Sequence, residues 1–125
     1  MPARSAALPF DPERMRVHAG DAARLLKALA NDKRLLILCL LADGERSVGE
    51  LNDLVDLSQS ALSQHLAVLR EEGLVHTRRE AQAILYSLVP GPAFEIIQTL
   101  HGIYCAPSRT RAAARVSRNG RGRAS

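Results

Sequence analysis

The 125-residue chain has no tryptophan and only two phenylalanines and two tyrosines. A core so poor in aromatic rings must be filled by Leu, Ile, Val and Ala, which suits packed helices better than a sheet sandwich. Long apolar runs are also missing. The longest, Leu35 to Ala42, is far short of the ~20 residues that a helix needs to cross a bilayer. The opening "MPARSAALPFDPERM" has no apolar core of the signal-peptide kind, so a cytoplasmic protein is expected, with no membrane partner. Cysteine is sparse: Cys39 and Cys105 are the two in the chain. In a reducing compartment a permanent structural disulfide between them is not expected. No nucleophile–base–orienter set and no glycine-rich phosphate loop occur, which argues against an enzyme and against a resident cofactor.

The length fits one domain, and a domain this small gains stability by pairing with a second copy. The net charge of +4 is unevenly spread. Residues 106–125 hold six of the 17 Lys/Arg and no acid, which leaves eleven cations against all 13 acids in residues 1–105. The tail "PSRTRAAARVSRNGRGRAS" lacks apolar periodicity. Three units follow: a disordered N-terminal arm (1–13), a folded domain (14–105) and a basic disordered tail (106–125). The tail either keeps the protein soluble or touches DNA phosphate without reading sequence.

Within the folded part, Met15, Ala19, Ala22, Leu26 and Leu29 recur at helical spacing and predict a first amphipathic helix. Asn31 or Asp32 can cap a second helix reaching about Ala42, which Asp43-Gly44 stops. Ser47 followed by Glu50 is a capping-box pattern that opens a short third helix to Val55, with Val48, Leu51 and Leu54 as its apolar edge. After the link "VDL", Ser58 can cap a fourth helix that Gly73 ends. The runs "LVHTRR" (74–79) and "AILYSLV" (83–89) predict a hairpin. Pro92 opens a last helix to about Cys105, with an apolar stripe of Ala93, Ile96, Ile97, Leu100, Ile103 and Tyr104. The expected fold is mainly α with a small β-hairpin: a winged helix-turn-helix.

Such a fold has a reading helix. In "SQSALSQHLAVLREEG", Leu62, Leu66 and Leu69 share one face and Ser60, Gln64 and Ala67 the other, flanked by Gln59 and Ser63. That exposed face is small, polar and free of acid until Glu71. Gln can pair bidentately with adenine, and Ser can reach base or phosphate. His65, nearer a flank, could reach phosphate or a base edge. Arg78 and Arg79 near the hairpin tip are placed to grip phosphate or enter the minor groove. A solvated polar face and a merely soluble hairpin tip are the plainer readings of the same residues. His18 and His76 carry no such signal.

The stretch "LANDKRLLILCLLADGERSVGELNDLVDLSQSALSQHLAVLREEGLVHTRREAQAILYSL" resembles the ArsR/SmtB family of dimeric winged-helix repressors, over about residues 15–105. The resemblance implies that Ser58, Gln59, Ser60, Ser63, Gln64 and His65 lie at double-stranded operator DNA, with Arg78 and Arg79 in the wing. It also implies a homodimer through the first and last helices, hence an operator that is an inverted repeat. The wing turn "REAQA" departs from the family, many of whose members carry glycine there. The family's metal sites are missing as well: "ELNDL" in the third helix has no thiol, and "FEIIQTLHGIYC" lacks the acid/histidine set of the last.

The cysteines resemble those of the BigR/SqrR/HlyU-type subgroup, with one thiol in the second helix and one at the end of the last. The resemblance implies sensing of reactive sulfur species (persulfides, polysulfides) or oxidants through a Cys39–Cys105 bridge within one subunit, followed by release of DNA. A plain disulfide needs Cα atoms within about 7 Å, and extra sulfur atoms could span a wider gap. Three alternatives remain open: an inert buried Cys39 among leucines, a metal sensor using Cys39, His101 and Cys105, and a nonspecific nucleic-acid binder driven by the tail.

Overall fold

The computed structural model describes residues 10–105. The basic tail, 106–125, and most of the N-terminal arm lie outside the described residues. The elements run α1 (Pro12–Leu29), α2 (Asp32–Ala42), β1 (Arg46–Ser47), α3 (Val48–Leu54), α4 (Gln59–Glu71), β2 (Val75–Glu80), β3 (Ala83–Leu88) and α5 (Pro92–Tyr104). This is a mainly helical winged helix-turn-helix, as the periodicity predicts.

Local chemistry sets most boundaries. The Asp11 carboxylate accepts from the N–H groups of Glu13 and Arg14, so α1 begins at Pro12. The arm was expected to run to residue 13, but Asp11 supplies the cap and Pro12 fits the first turn, so the helix starts earlier. Asn31, not Asp32, caps α2, accepting from Lys33 and Arg34. Ser47 and Glu50 form both halves of the capping box at α3. Ser58 Oγ accepts from Ala61 N–H at 3.1 Å and starts α4. Gly73, at φ +74°, closes α4 in the left-handed conformation, and Leu74 N–H reaches back to Leu69 C=O at 2.9 Å. A side chain at Gly73 would be strained, which is why glycine ends this helix.

The core is aliphatic throughout: Ile37, Leu38, Leu51, Val55, Leu62 and Leu69 are almost fully buried. No polar or charged residue is buried among the described residues. The sheet order is β1-β3-β2, with Arg46 opposite Tyr86 and Arg78 opposite Leu85. Strand β1 was not anticipated, because two residues show no period. Leu54 also departs from the expected apolar edge of α3 and is 50% exposed, while Leu51 alone of that helix is buried.

The terminal helices leave much apolar surface uncovered. Met15 (56% exposed) and Leu26 (55%) on α1, and Ile103 (59%) and Tyr104 (70%) on α5, face solvent. Of the stripe expected to pack α1, only Leu29 is buried, beside Ala28, which the spacing did not mark.

Candidate DNA-reading surface and cysteine pair

Leu62, Leu66 and Leu69 pin α4 to the core, which turns its polar face outward. Ser58, Gln59, Ser60, Ser63 and Gln64 are all exposed on that face, and no acid lies in the first turn. The Ser58 oxygen spends one lone pair on capping, which leaves its hydroxyl hydrogen and one lone pair. Four side chains, Gln59, Ser60, Ser63 and Gln64, therefore present unspent donors and acceptors to solvent.

His65 is placed differently from its neighbours. It is half-buried, and its Nδ1 lies 3.3 Å from an Arg34 guanidinium nitrogen. Guanidinium only donates, so Nδ1 is the acceptor in this contact. Arg34 Nε also donates to Ala28 C=O at 2.6 Å, and a terminal nitrogen donates to Lys27 C=O at 3.3 Å. One side chain thus closes the end of α1 and steadies α4. A second tie joins Arg24 of α1 to Glu72 at the end of α4, at 2.9 Å. Arg34 and His65 are 31 residues apart, and no local pattern marks them as partners.

In the wing, Arg78 and Arg79 are both exposed, but their engagements differ. Arg78 donates from Nε and a terminal nitrogen to the two Glu45 oxygens at 2.8 and 2.9 Å, and to Glu80 at 3.3 Å. The Arg78 hydrogen bond and charge hold the Glu45 carboxyl below its usual range. Arg46, the next residue, donates to Leu40 C=O and to Asp43, both at 3.2 Å. The segment 43–46 is therefore a strap, gripping the last turn of α2 with Arg46 and the wing with Glu45. At the tip, Ala81 takes a positive φ of 56°. This is the turn whose lack of glycine stood out in the sequence, and an alanine carries the strained conformation there.

Cys39 and Cys105 lie on either side of the α2–α5 contact. Cys39 is half-buried rather than enclosed by its leucines, and it lines an open cleft of about 450 Å³ with Ala42, Asp43, Phe94, Ile97 and His101. Burial pushes its thiol pKa up, and the charge of nearby Cys105 pushes it further. Cys105 caps α5 and is exposed, with its N–H on His101 C=O at 2.7 Å. Among the described residues, no three His, Cys, Asp or Glu side chains gather as a metal-binding cluster, so Cys39, His101 and Cys105 are not assembled as a ligand set. No described helix is long and apolar enough to cross a membrane.

Residues 31–77 match the family described as "Bacterial regulatory protein, arsR family". The transcriptional activator HlyU of Vibrio cholerae is 52% identical over 97 residues, covering 78% of this chain and 90% of that protein. The transcriptional repressor BigR from Xylella fastidiosa superposes with a TM-score of 0.72 at 42% identity, covering 78% and 100% of the two chains. A homodimeric winged helix-turn-helix DNA-binding domain, Mb0332 from Mycobacterium bovis, superposes with a TM-score of 0.63 at 30% identity, covering 77% and 89%. The chain is thus a transcriptional regulator rather than an enzyme, and it belongs to the bacterial arsR family, in the subgroup of BigR and HlyU.

Proposed function

We propose that this protein is a homodimeric repressor that releases operator DNA when Cys39 and Cys105 become bridged by reactive sulfur or an oxidant. The observation that carries the reading is the cysteine pair itself: an exposed thiol at the end of α5 and a half-buried one on α2, close enough that the charge of Cys105 adds to the raised pKa of Cys39. Reading of DNA rests on the exposed Ser58, Gln59, Ser60, Ser63 and Gln64, with His65 steadied from behind. Dimerisation rests on the bare apolar faces of α1 and α5, which would otherwise expose a large patch.

The chemistry balances with a persulfide, R–S–SH, as the sole co-reactant. The Cys105 thiolate attacks the outer sulfur, giving Cys105–S–SH and releasing RS⁻. The Cys39 thiolate then attacks the inner sulfur, forming Cys39–S–S–Cys105 and expelling HS⁻. Both thiols are oxidised and the transferred sulfur leaves as sulfide. Cys105 goes first because it is exposed, whereas burial raises the Cys39 thiol pKa and slows its attack. A bridge fastens the last turn of α2 to α5. The Arg46 and Glu45 strap joins that same turn to the wing, which offers a path from thiol to DNA. A coupling of about 1–3 kcal/mol would be ordinary for such a switch.

The test is binding to a duplex that the wild-type chain enriches from a randomised pool. Wild type, Cys39→Ser and Cys105→Ser are compared before and after persulfide treatment, with mass spectrometry of the products. Wild type should lose affinity and gain an intramolecular bridge, and both variants should stay bound. Release of DNA by both serine variants on treatment would sink the dithiol mechanism.

A further inference from the structure

Arg78 and Arg79 are neighbours in sequence but project from opposite faces of the hairpin, because successive strand residues alternate. Arg79 stands opposite Ile84, and cross-strand partners share a face. Ile84 lines a groove of about 630 Å³ together with Ser47, Asn52, Gln59 and Gln82. Gln59 is the first residue of α4, so the face that carries Arg79 is the one bordering the reading helix. Arg79 takes part in no ion pair and no side-chain hydrogen bond among the described residues. Arg78 stands opposite Leu85 on the other face, where both oxygens of Glu45 hold its fork.

We infer that Arg79 is the wing's phosphate-contacting cation, and that Arg78 is a positioning residue, clamped by Glu45, that fixes the wing against the strap at the end of α2. This rests on the DNA-reading role proposed above. The two arginines, alike in sequence, then have different jobs. Arg79 supplies charge to the backbone of the duplex, a role that a lysine could also fill. Arg78 supplies a planar two-point grip on a carboxylate, which a lysine cannot reproduce.

The experiment measures affinity for the enriched duplex across a range of salt concentrations. A contact with one phosphate adds about 0.9 to the slope of log affinity against log salt. With one Arg79 on each protomer of the dimer, Arg79→Gln should make the slope shallower by about 1.8, and Arg79→Lys should restore it. Arg78→Gln, Arg78→Lys and Glu45→Gln should each leave the slope unchanged while loosening the wing, seen as faster amide hydrogen exchange in β2 and β3. Two results overturn the inference: a shallower slope for Arg78→Gln, or an unchanged one for Arg79→Gln. If the wild-type chain binds the enriched duplex no better than a random one, it is the DNA-reading role that falls instead.

Discussion

Replacing Arg34 with methionine keeps the aliphatic stem of the side chain but removes all three of its hydrogen bonds. The short bond to Ala28 C=O, 2.6 Å and partly buried, is a charge-assisted bond of the kind worth about 1.5–3 kcal/mol. The bond to Lys27 C=O is longer and exposed, and contributes little. The contact with His65, at 3.3 Å, adds about 0.5–1 kcal/mol. Arg34→Met should therefore cost about 2–4 kcal/mol, a large share of the roughly 5–15 kcal/mol that a domain possesses. Urea unfolding under reducing conditions, at one fixed protein concentration, measures it. His65→Ala alone should cost less, and the double variant should reveal a coupling of about 0.5–1 kcal/mol between the two residues. A loss below about 0.5 kcal/mol for Arg34→Met, the usual range for surface changes, would show that Arg34 does not tie α1 to the reading helix.

Three further outcomes follow from the geometry. Ala81→Gly should stabilise the wing by roughly 0.5–1 kcal/mol, because glycine adopts a φ of +56° without strain; an unchanged or lower unfolding midpoint counts against the turn described. Iodoacetamide should label Cys105 before Cys39 in the reduced protein, with Cys39 catching up only above the ordinary thiol range. Its pKa is raised by folding, so the stability it lends is complete below the unfolded thiol pKa and is lost as pH rises through the folded value; equal labelling rates at neutral pH contradict this. Leu26→Glu and Ile103→Glu should each shift the protein from dimer to monomer in sedimentation, since both place a charge on a bare apolar face; dimers unaffected by both changes would locate the interface elsewhere.

What the sequence made legible was whatever depends on neighbours along the chain. Apolar spacing marks α1, α4 and α5, the cap at Asn31 and the stop at Asp43-Gly44 mark α2, and the Ser47–Glu50 pair marks the start of α3 because a capping box spans only three residues. The polar face of α4 follows once Leu62, Leu66 and Leu69 are assigned to the core. The hidden parts depend on partners far apart in the chain. Glu45 meets Arg78 across 33 residues and Arg34 meets His65 across 31, and an exposed acid or arginine does not announce its partner. His65 shows the cost: helical spacing alone leaves it free to reach DNA, whereas Arg34 turns its Nδ1 inward. Leu54 was misplaced for a related reason, since a one-turn apolar edge does not say how much of it the core can cover.

The strand order β1-β3-β2 has a consequence for behaviour at high concentration. β3 is paired on both sides, so β1 and β2 are the sheet's two rims, and β2, six residues against two, is the longer one, with backbone groups available to another chain. Exposed rims of this kind are templates for strand-on-strand aggregation, and charges along them are the usual safeguard. β2 carries His76, Arg78, Arg79 and Glu80 in exposed positions. The wing's charges thus guard colloidal stability, and a variant stripped of them would be in danger of precipitating before its affinity for anything could be measured.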